Sequence, residues 1–303
     1  MSELAGSRFS IIIPCHNDLD GLSACLSGIY QQKGGTSFEV IVVDDCSDMD
    51  VSERLKAQYP KVIFIRLKKN SGPGAARNKG IEKAGGQYIA FIDSDVVPNP
   101  LWLTSLDAEF KRGAVIICGQ VRHSSKFWAR LTALTAFGEY QINQNGYRRH
   151  CPSVNYAIAA DVMAPFSYDE TIPFAGEDVV LSTQLTNAGH SIRYLTSAWV
   201  LHNPVLSIWK YCRRSFIYGK GFRFSRARCP ELSGYNLHRY LGALSSVVLF
   251  FIRSGIDFTR LAKLRKELSI KLWEMPIFGA GVLFTRLVYA AGVFAGYIMM
   301  DKH

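Results

Sequence analysis

The chain has 303 residues, 48% of them hydrophobic, which is enough for one large domain with additions or for two domains. Its seven cysteines, at 15, 25, 46, 118, 151, 212 and 229, include no Cys-x-x-Cys pair, which argues against a disulfide framework or a zinc site. The net charge of +10 sits in the last third, where Leu201 to His303 carries 16 Lys/Arg against five Asp/Glu, and these charges lie beside long apolar segments without RNA-binding or zinc-finger motifs, so a membrane surface rather than nucleic acid is the expected partner.

Met1 to Ser10 contains no apolar stretch of signal-peptide type, and a cytosolic catalytic part is expected. Strand and helix signals then alternate. Phe9 to Ile13 is an apolar run ended by Pro14. Asp20 to Gln32 carries Leu22, Cys25, Leu26 and Ile29 at helical spacing and is closed by Gly34-Gly35. Phe38 to Val43 and Val62 to Leu67 are further strand candidates, Gly74 to Ala84 a helix, Tyr88 to Ile92 a fourth strand and Ala114 to Cys118 a fifth. Such alternation predicts a largely parallel sheet with helices on both faces. Phe127 to Tyr140 is expected to be helical, and Gln141 to His150 a polar surface loop. A helix over Val179 to Asn187 is opened by Gly176-Glu177-Asp178, and Ile192 to Leu201 is a strand followed by His202.

The last third differs. Tyr240 to Ile252 is a 13-residue apolar stretch. Asp257 to Glu274 is charged, and Phe258, Leu261, Leu264, Leu268 and Leu272 recur at intervals of three or four, which predicts one amphipathic helix, lying in a lipid interface or packed on the catalytic domain with Met275 to Met300 as its buried partner or an oligomer contact. Its Arg260, Lys263, Arg265, Lys266 and Lys271 would meet anionic headgroups. Met275 to Met300 holds a single charge, Arg286, and is long enough either to span a bilayer or to form a buried helix.

Acidic residues mark the ends of predicted elements: Asp18, Asp44-Asp45, Asp93 with Asp95, and Glu177-Asp178. Alternate residues of a strand share a face, so Asp93 and Asp95 can aim at one spot. That spot is the carboxyl edge of the sheet, where open α/β sheets bind ligands. Two carboxylates there suit Mg²⁺ or Mn²⁺ that also grips a diphosphate; the plainer reading is a solvated turn. Asn70 to Gly80 is glycine-rich and carries Arg77, which can meet a diphosphate, pair with Asp95 or be an ordinary helix-surface charge.

The segments Phe9-Ser-Ile-Ile-Ile-Pro-Cys-His-Asn17, Val42-Val-Asp-Asp-Cys-Ser47, Asn70-Ser-Gly-Pro-Gly-Ala-Ala-Arg-Asn-Lys-Gly80, Phe91-Ile-Asp-Ser-Asp95 and Gly176-Glu-Asp178 come in the order found in glycosyltransferase family 2, and the chain resembles that family over roughly residues 8 to 220. The resemblance implies an α/β GT-A fold, Rossmann-like with a mostly parallel sheet, over residues 1–230. A hydrophobic and basic helical region, membrane-associated, would occupy 231–303. It also implies roles. Asp45 would accept from the nucleotide base, with Asp44 beside it, and Pro14 and His16 would floor the nucleotide pocket. Asp95 would hold the metal, with Asp93 near the ribose or the metal. Arg77 and His202 would lie near the diphosphate or metal. Asp178 would be the general base, and Glu177 would hold the acceptor. The region of Trp209, Arg213, Arg214, Tyr218, Gly219 and Lys220 would cover the donor phosphates or meet lipid. The processive members' Gln-x-x-Arg-Trp motif is absent, which favours transfer of a single sugar.

The expected activity is therefore inverting, divalent-cation-dependent transfer of one hexose from a nucleoside diphosphate sugar. The acceptor hydroxyl would belong to a lipid-linked saccharide, a lipid or a surface-glycan precursor at the cytoplasmic membrane face. A polyprenyl-phosphate sugar synthase and a catalytically inactive nucleotide-sugar-binding module are the alternatives. A dehydrogenase is disfavoured, since no Gly-x-Gly-x-x-Gly follows the first strand.

Overall fold

The computed structural model describes residues 7–172, 175–202, 207–232 and 234–298. The strands are β1 (Phe9–Cys15), β2 (Phe38–Asp44), β3 (Ile63–Arg66), β4 (Tyr88–Ile92), β5 (Val96–Pro98), β6 (Ile116–His123), β7 (Gly146–Arg148), β8 (Asn155–Ala159) and β9 (Ile192–His202). The helices between them are α1 (Leu19–Tyr30), α2 (Val51–Leu55), α3 (Pro73–Ile81), α4 (Trp102–Lys111), α5 (Phe127–Thr135), α6 (Ala160–Met163) and α7 (Glu177–Asn187). The C-terminal part is helical: α8 (Ile208–Arg228), α9 (Tyr235–Leu241), α10 (Ser245–Lys263) and α11 (Met275–Ile298). The chain divides into two compact units. One comprises Met1–Arg122, Gln144–Pro173 and Leu181–Pro204; the other comprises His123–Asn143, Phe174–Val180 and Val205–His303.

The first unit is built on a sheet of order β3-β2-β1-β4-β8-β6-β9-β5, with β7 paired to β9. The predicted parallel arrangement holds for β3, β2, β1 and β4. Beyond β4 the pairing reverses: β8 runs antiparallel to both β4 and β6, and β9 is antiparallel to β5 and β7. The sheet is therefore mixed. The reversal follows from β8, which was not expected from sequence: its five residues Asn-Tyr-Ala-Ile-Ala are all buried, yet they form too short an apolar run to stand out. Ile11, Ile12, Ile13, Val40, Ile41, Val42 and Val43 in β1 and β2 are also buried, as strands covered on both faces require. Polar termini therefore fall at the carboxyl ends, where β1, β2 and β4 open into loops.

The helical unit has its own core. Leu131 and Leu134 of α5 pack with Tyr211 of α8, with Leu261, Leu264, Leu268 and Ile270, and with Phe278 and Val282 of α11. The single amphipathic helix expected over Asp257 to Glu274 is not formed. The helix ends at Lys263, the chain turns through Ser269 at φ +52°, and Leu272–Glu274 is one 3₁₀ turn. The physical reason is burial: Leu261, Leu264 and Leu268 are between 2% and 7% exposed, so these leucines face protein and not lipid. The last apolar stretch is helical to Ile298; Met299 and Met300 lie outside the described residues. Two stretches, Tyr235–Lys263 and Leu272–Ile298, are long and apolar enough to cross a membrane, which is consistent with membrane association.

Candidate active site

The carboxyl ends of β1, β2 and β4 carry the predicted polar residues. Asp44 closes β2 and is buried. One of its oxygens accepts from the Ser47 N–H at 2.9 Å and the other from Arg66, so Asp44 stabilises the loop that follows the strand. Asp45 is also buried, and its two oxygens accept from the backbone N–H groups of Ser71 at 2.7 Å and Gly72 at 2.8 Å. Gly72 has φ +87°, a conformation that suits glycine, and Pro73 starts α3 directly after it. Asp45 thus anchors the glycine-rich segment to β2 and retains lone pairs for a further donor. His16 lies beside it: its Nδ1 is 2.9 Å from the Asp45 carbonyl oxygen, and its Nε2 is 3.1 Å from the Asn70 amide nitrogen. Pro14 pairs in register with Val43 in the adjoining strand. At the end of β1, burial pushes the Cys15 thiol up to about 12, so it stays protonated and is no nucleophile.

Asp93 and Asp95 follow β4, each about one-third exposed. Asp93 accepts from Arg77 at 2.7 Å, and the guanidinium, itself buried, lies 5.4 Å from the Tyr168 ring centre. Arg77 is thus buried and engages Asp93, one of the two carboxylates that follow β4. Between the two carboxylates, Ser94 donates to Asp18 at 2.7 Å, tying the turn to the start of α1. Asp95 lies 3.0 Å from Nε2 of the buried His202. A short strand makes this meeting possible. In the β5–β9 pair Val96 stands opposite His202, so the residue before β5 and the last residue of β9 converge across 107 positions of sequence.

Glu177 and Asp178 stand in the other unit, at the N-terminus of α7. Glu177 is buried, and Asp178 accepts from the Val179 N–H at 2.8 Å. Helix N-termini favour carboxylates. The preceding Ala175-Gly176 rests on α8: a methyl group on Gly221 would lie 2.1 Å from the Ala175 carbonyl oxygen. Sequence reading did not single out Gly221, because a lone glycine in a basic segment gives no signal of what approaches it. In α8, Arg214 donates to Thr132, Gly219 packs on α11, and Trp209 is 81% exposed. Asn203 and Pro204, which follow His202, lie outside the described residues.

Among the described residues no three His, Cys, Asp or Glu side chains are grouped to hold an ion by themselves. A closed protein cage is not what a hard cation at a diphosphate needs. Mg²⁺ and related ions bind through one or two carboxylates and complete their shell with water and substrate phosphates. An accessible Asp95 carboxylate with an imidazole nitrogen 3.0 Å away is a donor set of that open kind.

The model of the family described as "Glycosyl transferase family 2" matches residues 10–170, and the chain belongs to this family. Its general activity is transfer of a sugar from a nucleoside diphosphate sugar to an acceptor. The chain is similar to "Glycosyltransferase AglE" of Haloferax volcanii, 25% identical over 219 residues, covering 70% of this chain and 72% of the relative. It is also similar to "Pre-mycofactocin glycosyltransferase" of Mycobacterium tuberculosis, 28% identical over 273 residues. That match covers 84% of this chain and about half (54%) of the relative's length. Among solved structures, the mannosyltransferase PcManGT of Pyrobaculum calidifontis, in complex with GDP-Man and Mn²⁺, aligns with a TM-score of 0.63 at 14% identity, over 98% of this chain and 88% of that one. The fold is GT-A-like, a mixed sheet with flanking helices.

Proposed function

We propose that the protein is an inverting, divalent-cation-dependent hexosyltransferase that moves one sugar to an acceptor hydroxyl at the cytoplasmic membrane face. The acceptor class is a lipid-linked saccharide, a lipid or a surface-glycan precursor. The observation that carries the reading is the Asp95–His202 pair beside the Asp93–Arg77 pair at the carboxyl edge of the sheet. The Mn²⁺ and GDP-Man bound by the solved structural neighbour support the same chemistry here.

In this reading Asp95 and His202 hold Mg²⁺ or Mn²⁺, with Asp93 contributing to the metal or the ribose. The ion supplies Lewis-acid neutralisation of the leaving diphosphate. Arg77 orients Asp93 by a charge-assisted hydrogen bond and offers positive charge near the diphosphate. Asp45 accepts from the nucleotide base, and Asp44 keeps its loop in place. Pro14 and His16 form the floor of that pocket. Asp178 takes the proton of the attacking acceptor hydroxyl, and Glu177 positions the acceptor. Residues 231–303, with their two apolar helices, bring the site to the membrane.

The test is donor turnover by the purified full chain. Incubation with Mn²⁺ and a panel of nucleotide sugars, with and without membrane lipid extract, should release a nucleoside diphosphate from one donor, faster with lipid. Equal release with and without lipid would remove the lipid acceptor. No release from any donor under either condition would favour a binding module.

A further inference from the structure

The C-terminal helices expose apolar surface along one side. On α11 the exposed residues include Ile277, Phe284, Leu287 and Phe294, spaced at seven, three and seven. They form a single stripe on one face of the helix. Phe251 and Phe258 of α10 are exposed as well. Phe258 reaches α11, where a methyl on Gly279 would sit 3.3 Å from its ring, so the two helices share one apolar surface.

The opposite face of α11 meets α8. A methyl on Gly219 would fall 2.1 Å from the Tyr289 carbonyl oxygen, and one on Gly292 would fall 2.1 Å from the Phe216 carbonyl oxygen. The two backbones are in contact. Tyr211 and Thr285 share a hydrogen bond of 2.6 Å, and Arg223 donates to the Gly296 carbonyl at 2.9 Å. The contacts advance along both helices together, so α8 flanks α11 from Thr285 to Gly296. Yet α8 carries seven Lys/Arg and no acid. A bilayer-spanning α11 would draw those charges into hydrocarbon, where each is strongly disfavoured.

We infer that α10 and α11 lie flat in the headgroup interface of an anionic leaflet, with the apolar stripe toward the acyl chains and α8 on the water side, and do not cross the bilayer. This inference rests on the membrane association proposed above and assigns its geometry. The charge pattern fits an anionic surface. Lys263, Lys266 and Lys271 are exposed where α10 turns toward α11, next to Trp273, which is 68% exposed. An aromatic ring with lysines at the edge of an apolar stripe is the usual composition of an interfacial helix.

The experiment uses the full chain with Cys46 and Cys212 changed to serine. An environment-sensitive fluorophore is placed singly at Ile277→Cys, Phe284→Cys, Phe294→Cys or Lys210→Cys. Each protein is mixed with vesicles of phosphatidylcholine alone, or with about one-third phosphatidylglycerol, carrying a quencher at a shallow or a deep acyl position. The expected result is binding to the anionic vesicles that weakens with salt. The three α11 probes should be quenched alike and mainly by the shallow quencher, and the α8 probe should be unquenched. Phe284→Asp with Leu287→Asp, on the exposed face, should keep the native circular dichroism and lose at least tenfold in vesicle affinity. Binding with the Phe284 probe deepest and the end probes shallow would overturn the flat orientation while leaving membrane association intact. No binding to either vesicle would instead remove the membrane reading itself. If the stripe were protected by self-association, dimers in solution with unquenched probes would show it and would equally overturn the inference.

Discussion

The two units of the chain sort polar and apolar residues in opposite ways. In the sheet unit the strands bury Ile11, Val42 and Phe91, and the carboxylates of Asp93 and Asp95 reach the surface. In the helical unit Phe251, Leu287 and Phe294 are exposed, while Arg286 and Asp257 are almost fully buried. Arg286 donates to Asp257 at 2.6 Å and to the Thr135 carbonyl at 2.6 Å, and Arg260 approaches Asp257 from the other side at 3.4 Å. The difference teaches that the two units place their charges in opposite ways. Water faces the sheet edge, so a charge there is available to a ligand. The outer face of α11 is apolar, so the one charge in that helix turns inward and pins it to α10 and α5. A buried ion pair adds little net stability compared with an apolar isostere, but it is costly to break by halves.

That contrast can be broken experimentally. Arg286→Met leaves Asp257 buried without its main partner, and we expect a loss of about 3–5 kcal/mol in unfolding free energy. Asp257→Leu in the same chain should restore much of it. Denaturant melts in detergent check both. Similar losses for the single and double variants would mean that packing, and not charge pairing, holds these helices.

Asp178→Asn keeps the shape of the side chain and removes the proton acceptor. Turnover should fall about 10²-fold or more, with the donor KM little changed; unchanged turnover would move the base to Glu177. Gly221→Val crowds the Ala175 carbonyl. It should lower kcat by about tenfold or more through displacement of Asp178, since small misplacements of catalytic groups are expensive. The smaller Gly221→Ala should fall between it and wild type, and equal kcat for all three would contradict the positioning role.

The smallest expected effect concerns pH. Arg130 hydrogen-bonds Glu274 at 2.7 Å and lowers its carboxyl to about 2. A carboxyl depressed on folding contributes stability that is complete above its unfolded value of about 4.3 and declines as pH falls toward 2. Wild type should therefore lose more Tm between pH 5 and 3 than Glu274→Gln does. Parallel Tm profiles would show that the pair is inert.

Much of the sheet unit was legible because β1, β2 and β4 are continuous apolar runs ending in acidic motifs, and the motifs come in a family's order. The pairings within the site were not. Asp95 meets His202 only through β5, whose three residues carry no periodic signal. The engagement of Arg77 with Asp93 depends on how α3 lies against β1 and β2, which spacing does not encode. In the helical unit α8 escaped detection because its buried positions include Ser215, Gly219, Gly221 and Ser225, small residues that pack by close approach and leave no apolar stripe. The apolar residues from Phe258 to Leu272 did have helical spacing, but three of them, Leu261, Leu264 and Leu268, serve the core around a chain reversal.

The most direct test of the central claim, cation-dependent sugar transfer at Asp95, is nucleoside diphosphate release by wild type and Asp95→Ala across a Mn²⁺ titration that begins in EDTA. We predict no turnover in EDTA, saturable recovery with Mn²⁺ for wild type, and a loss of about 10²-fold or more in Asp95→Ala at any Mn²⁺ concentration with native circular dichroism retained. Full wild-type turnover in EDTA, or an Asp95→Ala protein as active as wild type, would contradict it.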